Sequence, residues 1–366
     1  MMEDDELAAW YRLAETPGLP RHVARALLAA FGSAEGVMAA GPGPLREVAG
    51  PNVAAALNRR PDDFEQRLAA ARGWLHAGEG DRRVLTLADP AYPEALLQTA
   101  DPPLWLFVQG QVEALGARRA IAVVGSRRPT PQGADHARRF ATELGAAGWT
   151  VVSGLAQGVD GAAHEGALAA GAPTVAVMGT GPDRIYPARH RKLAHRIAAS
   201  GALVSEFPPG TPALAQHFPQ RNRIIAGLSR GTLVVEAALA SGSLITARLA
   251  LEAGREVMAI PGAITSPQSQ GCHALIKQGA QLVETLEDIL WALGEAGEAV
   301  STSAPKPPVT ADPLLDALGH EISSLDALAD RTGLPASQLQ ARLLELELAG
   351  QVARLPGGRF QRRGQG

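Results

Sequence analysis

AIAVVGS, residues 120–126, is a short apolar run rich in β-branched residues that ends at a glycine and a serine. Apolar strands that alternate with helical segments are typical of a parallel sheet covered on both faces, so repetition of this run decides the fold. The sequence therefore predicts a doubly wound, mainly parallel α/β domain. Five similar runs follow, separated by segments with helical spacing: TVVSG (150–154), TVAVMG (174–179), ALVSE (202–206), GTLVVEA (231–237) and EVMAIPG (256–262).

Further segments flank the predicted α/β domain, which we place at residues 79–293. Residues 1–78 show only helical spacing, broken by TPGLP and GPGP, and predict a helical domain resembling sterile-alpha-motif or helix-hairpin-helix units. Two strand-like runs in residues 81–109 connect the helical domain to the α/β domain. Residues 294–312 are small, polar and proline-rich, as in a linker. In residues 313–366, three helical segments and a hairpin turning at PGG predict a winged helix.

The overall composition is that of an ordinary globular protein, with 46% hydrophobic and 19% charged residues. The formal net charge of −3 does not indicate a nucleic-acid partner, so any basic surface must be local. The single cysteine, Cys272, excludes an intrachain disulfide and fits a reducing compartment. Neither a signal-peptide pattern nor a membrane-spanning run is present, so we expect a cytoplasmic protein that does not contact the membrane.

Four polar, glycine-rich loops follow the predicted strands. The carboxyl ends of parallel strands share one edge of a sheet, where ligands bind, so these loops should converge on one site. Backbone N–H groups and arginines in the loops indicate an anionic ligand, although each loop alone also reads as ordinary helix capping. The candidate site residues in these loops are Gly125, Ser126, Arg127, Arg128, Ser153, Gly154, Gly158, Ser241, Gly242, Ser243 and Thr246.

Known nucleotide signatures are missing. In a dinucleotide fingerprint, Arg127 and Thr130 would occupy the second and third glycine positions, which argues against NAD. No G-x-x-x-x-G-K-[ST] motif occurs, which excludes a P-loop ATPase. Ser153, Asp160 and His164 lie near one another in sequence, but the last two are one helical turn apart and suit pairing or capping better than catalysis. We expect no catalytic residue, no cofactor and no metal.

FPQRNRIIAGLS, residues 218–229, predicts a helix from about Asn222, with arginines at its start. Cations are unfavourable at a helix N-terminus, so their presence needs a reason. Because successive helical residues are about 100° apart, Arg221 and Arg223 should point to nearly opposite sides. We expect one of them to face the anion and the other to pair with Glu206 or Glu236.

Taken in order, these motifs closely resemble the DNA-processing protein A (DprA) family over residues 81–290. The resemblance implies an extended Rossmann-like domain that binds and protects single-stranded DNA, forms a homodimer and loads the RecA recombinase in natural transformation. The matching motifs are VGSRRPTPQG, SGLAQGVDGAAHEGAL, TVAVMGTGPDRIYP, ALVSEFPPG, FPQRNRIIAGLS, VVEAALASGSLITARLALEAGREVMAIPG and GCHALIKQGAQLV. By this match, the DNA pocket also includes Phe218, Arg221, Asn222 and Arg223.

The remaining features leave several alternatives open. Aromatic residues make up only 4% of the chain, which favours sequence-independent binding of the phosphate backbone; Phe218 could stack on a base or belong to the core. Two alternative functions stay open. One is a phosphoribohydrolase-like enzyme, suggested by SRGTLVVEA, and the other is a RecA adaptor with incidental DNA affinity. The winged helix could bind duplex DNA weakly, but Glu345 and Glu347 favour a protein-interaction role. The segment Cys272–Ile276 is a candidate dimer contact.

Overall fold

The computed structural model describes residues 3–77, 82–295, 312–319 and 322–363. The predicted linker therefore falls almost entirely outside the described residues. The predicted boundary between the helical and α/β domains also lies outside them, between the helix that ends at His76 and the strand that begins at Arg82.

The N-terminal segment is helical, as predicted. Its helices pack on the outer end of the central sheet, where the ring centroids of Tyr11 and Trp105 lie 5.2 Å apart and Trp105 contacts Phe107 at 4.8 Å. Trp105 and Phe107 of the 81–109 segment thus belong to the core of the helical domain. The helices are α1 (Asp4–Glu15), α2 (Arg21–Phe31), α3 (Ala34–Ala39), α4 (Pro42–Asn58) and α5 (Phe64–His76), and the short α6 (Glu94–Leu97) follows.

Nine strands form the central sheet in the described part of the chain. From β3 onward the strands pair in parallel, while β2 is antiparallel to both β6 and β1, so the predicted mainly parallel sheet is confirmed. The strand order is β1-β2-β6-β5-β4-β3-β7-β8-β9. The strands are β1 (Arg82–Thr86), β2 (Trp105–Gly110), β3 (Ala120–Val124), β4 (Thr150–Ser153), β5 (Thr174–Val177), β6 (Ala202–Ser205), β7 (Gly231–Val234), β8 (Glu256–Ala259) and β9 (Gln281–Leu282).

Helices cover both faces of this sheet. Alternate residues of β3 serve opposite faces, since Ile121 and Val123 belong to one buried cluster and Ala122 and Val124 to another. No helix in the described residues is long and apolar enough to cross a membrane. The covering helices are α7 (Pro131–Ala146), α8 (Val159–Ala169), α9 (Arg191–Ser200), α10 (His217–Gly227), α11 (Ser243–Glu252), α12 (Gln270–Lys277) and α13 (Leu286–Ala292).

The C-terminal segment forms the predicted winged helix. It adds a two-residue strand, β10, that is too short to show a sequence pattern. In the helix Ala336–Leu348, Arg342 is paired with Asp312 and Glu345, so its charge is compensated. Arg363 donates to Asp135 of α7 at 2.8 Å, which joins the wing to the α/β domain. The elements are α14 (Pro313–Leu318), β10 (Ser323–Ser324), α15 (Leu325–Thr332), α16 (Ala336–Leu348), β11 (Val352–Leu355) and β12 (Arg359–Arg362).

An ion-pair network joins the helical domain to the α/β domain. Asp101, in the loop before β2, accepts hydrogen bonds from Arg21 at 2.9 Å, from Arg25 at 3.3 Å and from Arg223 of α10 at 3.2 Å. Arg223 also donates to Glu206, at the end of β6. Burial by itself raises the pKa of Asp101, but the hydrogen bonds and charges of Arg21 and Arg223 outweigh it and hold that pKa well below its usual range.

We expect Asp101→Asn to lower the free energy of unfolding by about 1–2 kcal/mol at neutral pH, because it leaves three arginines without their shared carboxylate. Since the folded pKa of Asp101 is depressed, the contribution is complete above about pH 5 and is lost as the pH falls below its usual pKa of about 4. Urea unfolding from pH 7 down to pH 3 measures this difference. The matched control is Asp62→Asn at an exposed position, and an equal loss in both variants would contradict the role of the network.

Candidate functional site

A cleft of about 480 Å³ opens at the carboxyl edge of the sheet, between the loops that follow β3 and β7. The chain runs from β3 to β4 on one side of this pair and from β7 to β8 on the other, so the cleft lies at a topological switch point, where ligands bind in open α/β sheets. Most predicted site residues line it: Gly125, Ser126, Arg127, Arg128, Phe218, Arg221, Asn222, Ser241, Gly242, Ser243 and Thr246.

Arg221 of α10 is the buried cation of this cleft. Its side chain is 4% exposed, and its Nη2 lies 4.0 Å from Oδ2 of Asp160. Its Nε and Nη1 have no hydrogen-bond partner among the described residues. Burial lowers the pKa of Arg221 to about 10, against the attraction of Asp160, so the side chain stays charged at neutral pH. The Nε and Nη1 atoms are both shielded from solvent, so Arg221 contributes an incompletely compensated positive charge to the cleft wall, and such a charge favours an anionic ligand.

The loop after β4 holds this arginine in place. A Cβ on Gly154 would lie 1.5 Å from Nη1 of Arg221, so only glycine leaves room for the guanidinium. The N–H groups of Gly154 and Ala156 both donate to Asp160, at 3.1 and 3.2 Å. The Gly154 N–H, which was predicted to face an anionic ligand, is therefore not available to one, because Asp160 already accepts it. Burial raises the pKa of Asp160, while Arg221 and these hydrogen bonds oppose the shift.

Ser153 and Gly158 also lie behind the cleft wall rather than on it. The hydroxyl of Ser153 is buried and donates to the carbonyl of Val123 at 2.7 Å. Gly158 adopts φ +89°, and a Cβ there would lie 2.4 Å from the carbonyl oxygen of Ser126. Ser153 thus joins β4 to β3, while Gly158 allows the loop after β4 to approach Ser126 closely. His164 is likewise structural, because its Nδ1 lies 2.8 Å from the Thr174 hydroxyl.

The opposite wall is the start of α11. The hydroxyls of Ser241 and Ser243 lie 2.7 Å apart, and Asn222 donates to the carbonyl of Gly242 at 3.5 Å. The Ser241 hydroxyl accepts a hydrogen bond from the N–H of Ser243 at 3.4 Å, and the carbonyls of Ser241 and Gly242 accept from the N–H groups of Leu244 and Ile245. The first N–H groups of α11 therefore already have partners, and it is the helix dipole that favours an anion on this side of the cleft.

An aromatic pair lies at the rim of the cleft. The guanidinium carbon of Arg127 is 5.4 Å from the ring centroid of Phe218, and the ring of Tyr186 lies 5.4 Å away on the other side. The sequence left open whether Phe218 stacks on a base or belongs to the core. Its side chain is partly buried and also lines the cleft, so it has features of both. Tyr186, which is 53% exposed, was missed by sequence reasoning; its signal is an aromatic residue in the polar loop GTGPDRIYP.

The two arginines of α10 are separated as predicted. Arg221 lines the cleft, whereas Arg223 lies on the other side of α10 and pairs with Glu206, so the structure does not bring Arg223 to the site. The helix begins at His217 rather than near Asn222, so neither arginine is in its first turn. Glu236 differs from the prediction: it accepts a hydrogen bond from the N–H of Thr130 at 3.0 Å, and burial raises its pKa to about 7.

The fold and the cleft define a doubly wound α/β protein with an arginine-lined cleft at the switch point of its sheet. A family model described as DNA recombination-mediator protein A matches residues 83–294, and one described as the DprA winged helix domain matches residues 298–358. The chain therefore belongs to the DNA recombination-mediator protein A family, as the sequence motifs indicated.

Several known proteins are similar to this chain over most of its length. Protein Smf of Escherichia coli (strain K12) is 49% identical over 277 residues, which cover 73% of this chain and 74% of that protein. The X-ray structure of DNA processing protein A from Streptococcus pneumoniae matches with a TM-score of 0.67 at 36% identity, covering 77% of this chain and 95% of that one. A Helicobacter pylori DNA processing protein A structure, described by its single-stranded DNA binding mode, matches with a TM-score of 0.53 at 31% identity, covering 58% and 96%.

We expect Gly158→Ala to destabilise the fold more than Gly171→Ala. Both glycines have positive φ, +89° and +69°, but a Cβ at Gly171 would meet no atom within 4 Å, whereas at Gly158 it would strike the Ser126 carbonyl. The backbone strain, which both variants share, should lower the free energy of unfolding by about 1–2 kcal/mol. The clash with Ser126 should lower it by about 1 kcal/mol more in Gly158→Ala. Thermal unfolding of both variants measures the difference, and equal losses would show that the loop contact is not tight.

Proposed function

We propose that this protein is a non-enzymatic recombination mediator that binds single-stranded DNA by its phosphate backbone in the cleft of Arg221. The carrying observation is the buried guanidinium of Arg221, whose Nε and Nη1 have no partner among the described residues. Arg127 and Arg128 are exposed in the adjoining loop and line the same cleft. The single-stranded DNA binding named for the related Helicobacter pylori protein supports this proposal.

The shape of the cleft favours a single strand over a duplex. Arg221 is recessed, so a phosphate must enter the cleft to reach it, and a flexible single strand can bend to do so more readily than a stiff duplex. Tyr186 is 53% exposed and offers a ring face on which any base can stack. Phosphate contacts and stacking do not distinguish bases, so the binding is independent of sequence.

We expect Arg127→Ala to weaken binding of fluorescent oligo-dT by about tenfold and to reduce the slope of log K against log salt by about 0.7, the loss of one phosphate contact. Gly154→Ala should weaken it further, because the added methyl group displaces the guanidinium of Arg221. Fluorescence anisotropy titrations at several salt concentrations measure both effects. Arg46→Ala, at an exposed position outside the cleft, is the charge-matched control and should bind like the wild type.

Two outcomes would contradict this proposal. Equal affinity for duplex and single-stranded DNA would show that the protein does not select single strands. Unchanged binding by folded Arg127→Ala and Gly154→Ala proteins would show that the cleft does not bind DNA. The alternative enzyme has its own test, since a phosphoribohydrolase would release free base from nucleoside monophosphates. The carboxylate of Glu236, in the motif that suggested this enzyme, contacts Thr130 and is not among the residues lining the cleft.

We further propose that the protein acts as a homodimer that loads RecA. The family resemblance supports both, while Cys272 and Leu275 of the suggested dimer segment are buried and cannot contact a partner without rearrangement. Light scattering should give about twice the chain mass of 38.0 kDa.

For RecA loading, the expected result is a shorter lag in DNA-dependent ATP hydrolysis by RecA on oligo-dT coated with a single-strand-binding protein. The Arg127→Ala variant should lose this effect in proportion to its DNA affinity. An unchanged lag with the wild-type protein, at concentrations that saturate the DNA, would contradict a loading function.

A further inference from the structure

A second groove of about 890 Å³ lies beyond the aromatic rim of the cleft, between α5 of the helical domain and α9 of the α/β domain. We call it the α9 groove. Its basic lining residues are Arg82, Arg184, Arg191 and His195. Among the described residues that line it, Asp183 is the single acidic one, and its carboxylate already accepts a hydrogen bond from the N–H of Gly210 at 2.8 Å.

The segment that forms one wall of the α9 groove has an unusual charge pattern. From residue 184 to residue 205 the sequence holds no aspartate or glutamate. Arg191 and His195 are one helical turn apart and line the groove, and Lys192 and Arg196 form the neighbouring exposed stripe of α9. The segment contains five cations: Arg184, Arg189, Arg191, Lys192 and Arg196.

Most of these cations differ from the arginines of the domain junction; Arg184 is the exception, because its Nε lies 3.6 Å from Oδ2 of Asp183. At the junction, Arg21 and Arg223 share the carboxylates of Asp101 and Glu206. On the described α9 surface, by contrast, Arg191 and Lys192 have no ion pair, and the long acid-free stretch supplies none nearby in sequence. An exposed basic stripe without internal counter-charges attracts a polyanion.

The helical domain supplies the other wall. Arg82, at the start of β1, donates to the carbonyl of Trp74 in α5 at 2.8 Å, and its guanidinium carbon lies 5.4 Å from that ring. The buried Nε of Arg82 has no hydrogen-bond partner among the described residues. The groove therefore has a cation with unused hydrogen-bonding capacity on its helical-domain side and a row of cations on its α9 side.

The cleft and the α9 groove are connected by the aromatic rim. Phe218 lines the cleft, Tyr186 lines the groove, and their ring centroids are 5.4 Å apart. We propose that a DNA single strand longer than the cleft passes over the Phe218–Tyr186 pair into the α9 groove, where the α9 cations hold its phosphates. This inference rests on the proposed function, and it gives the helical domain a part in DNA binding.

The test compares two lengths of fluorescent oligo-dT, about 6 and about 30 nucleotides, because the cleft alone serves the short one. The double variant Arg184→Ala/Arg191→Ala should bind the long oligonucleotide about tenfold or more weakly, with a salt slope reduced by about 1.4, and bind the short one as the wild type does. The control Arg46→Ala/Arg59→Ala removes the same charge at exposed positions that line neither cavity and should bind both lengths normally.

The outcomes separate this inference from the proposed function. If the wild type binds both lengths and the Arg184→Ala/Arg191→Ala variant loses neither, the α9 groove does not hold DNA, while the cleft proposal stands. An equal loss in the Arg46→Ala/Arg59→Ala control would reduce the effect to overall charge and also overturn the inference. If the wild type binds neither length, the proposed function fails first.

A position-specific measurement keeps the inference testable should the double variant unfold. Ala70 is exposed and lines the groove from α5, so Ala70→Cys can carry an environment-sensitive dye. The native Cys272 is fully buried, and burial raises its thiol pKa to about 12, so it should not react. The long oligonucleotide should change the dye emission and the short one should not. Emission that responds only to an acidic peptide would assign the groove to a protein partner instead.

Discussion

The cleft depends on one buried ion pair, Arg221 with Asp160. A guanidinium with 4% exposure must be compensated, and a carboxylate 4.0 Å away does this only in part. Asp160 is itself fixed by two backbone N–H groups, so it cannot move closer without losing them. The protein therefore keeps a charge that its own groups do not fully satisfy. This arrangement costs stability, and it is the physical basis of the proposal that an anion binds there.

The two sides of the cleft satisfy a ligand in different ways. Arg127 and Arg128 are exposed, so their charges can attract phosphate from a distance, whereas Arg221 is buried beside Asp160. Exposed charges govern the rate of encounter and its salt dependence, and the fixed donors govern how long the ligand stays. The arginines of the cleft thus differ in their burial rather than in their charge.

The sequence predicted the strands because each is a continuous apolar run, and it predicted the site edge because parallel topology places all following loops together. It could not tell which glycines face the ligand. Gly154 and Gly158 are required because Arg221 and Ser126, from other parts of the chain, approach them closely. The sequence around a glycine does not show which distant residue will approach it. The earlier start of α10 had a usable signal, since Pro219 is tolerated in the first turn of a helix.

The position of Arg223 has a mechanical consequence. It shares α10 with Arg221, and α10 is a single helix of three turns, so the two side chains are rigidly linked at opposite faces. One face meets the cleft, and the other meets the carboxylates that secure the helical domain through Asp101. The same helix therefore lines the cleft with one arginine and holds the helical domain with the other, so α10 is the element that the cleft and the domain junction share.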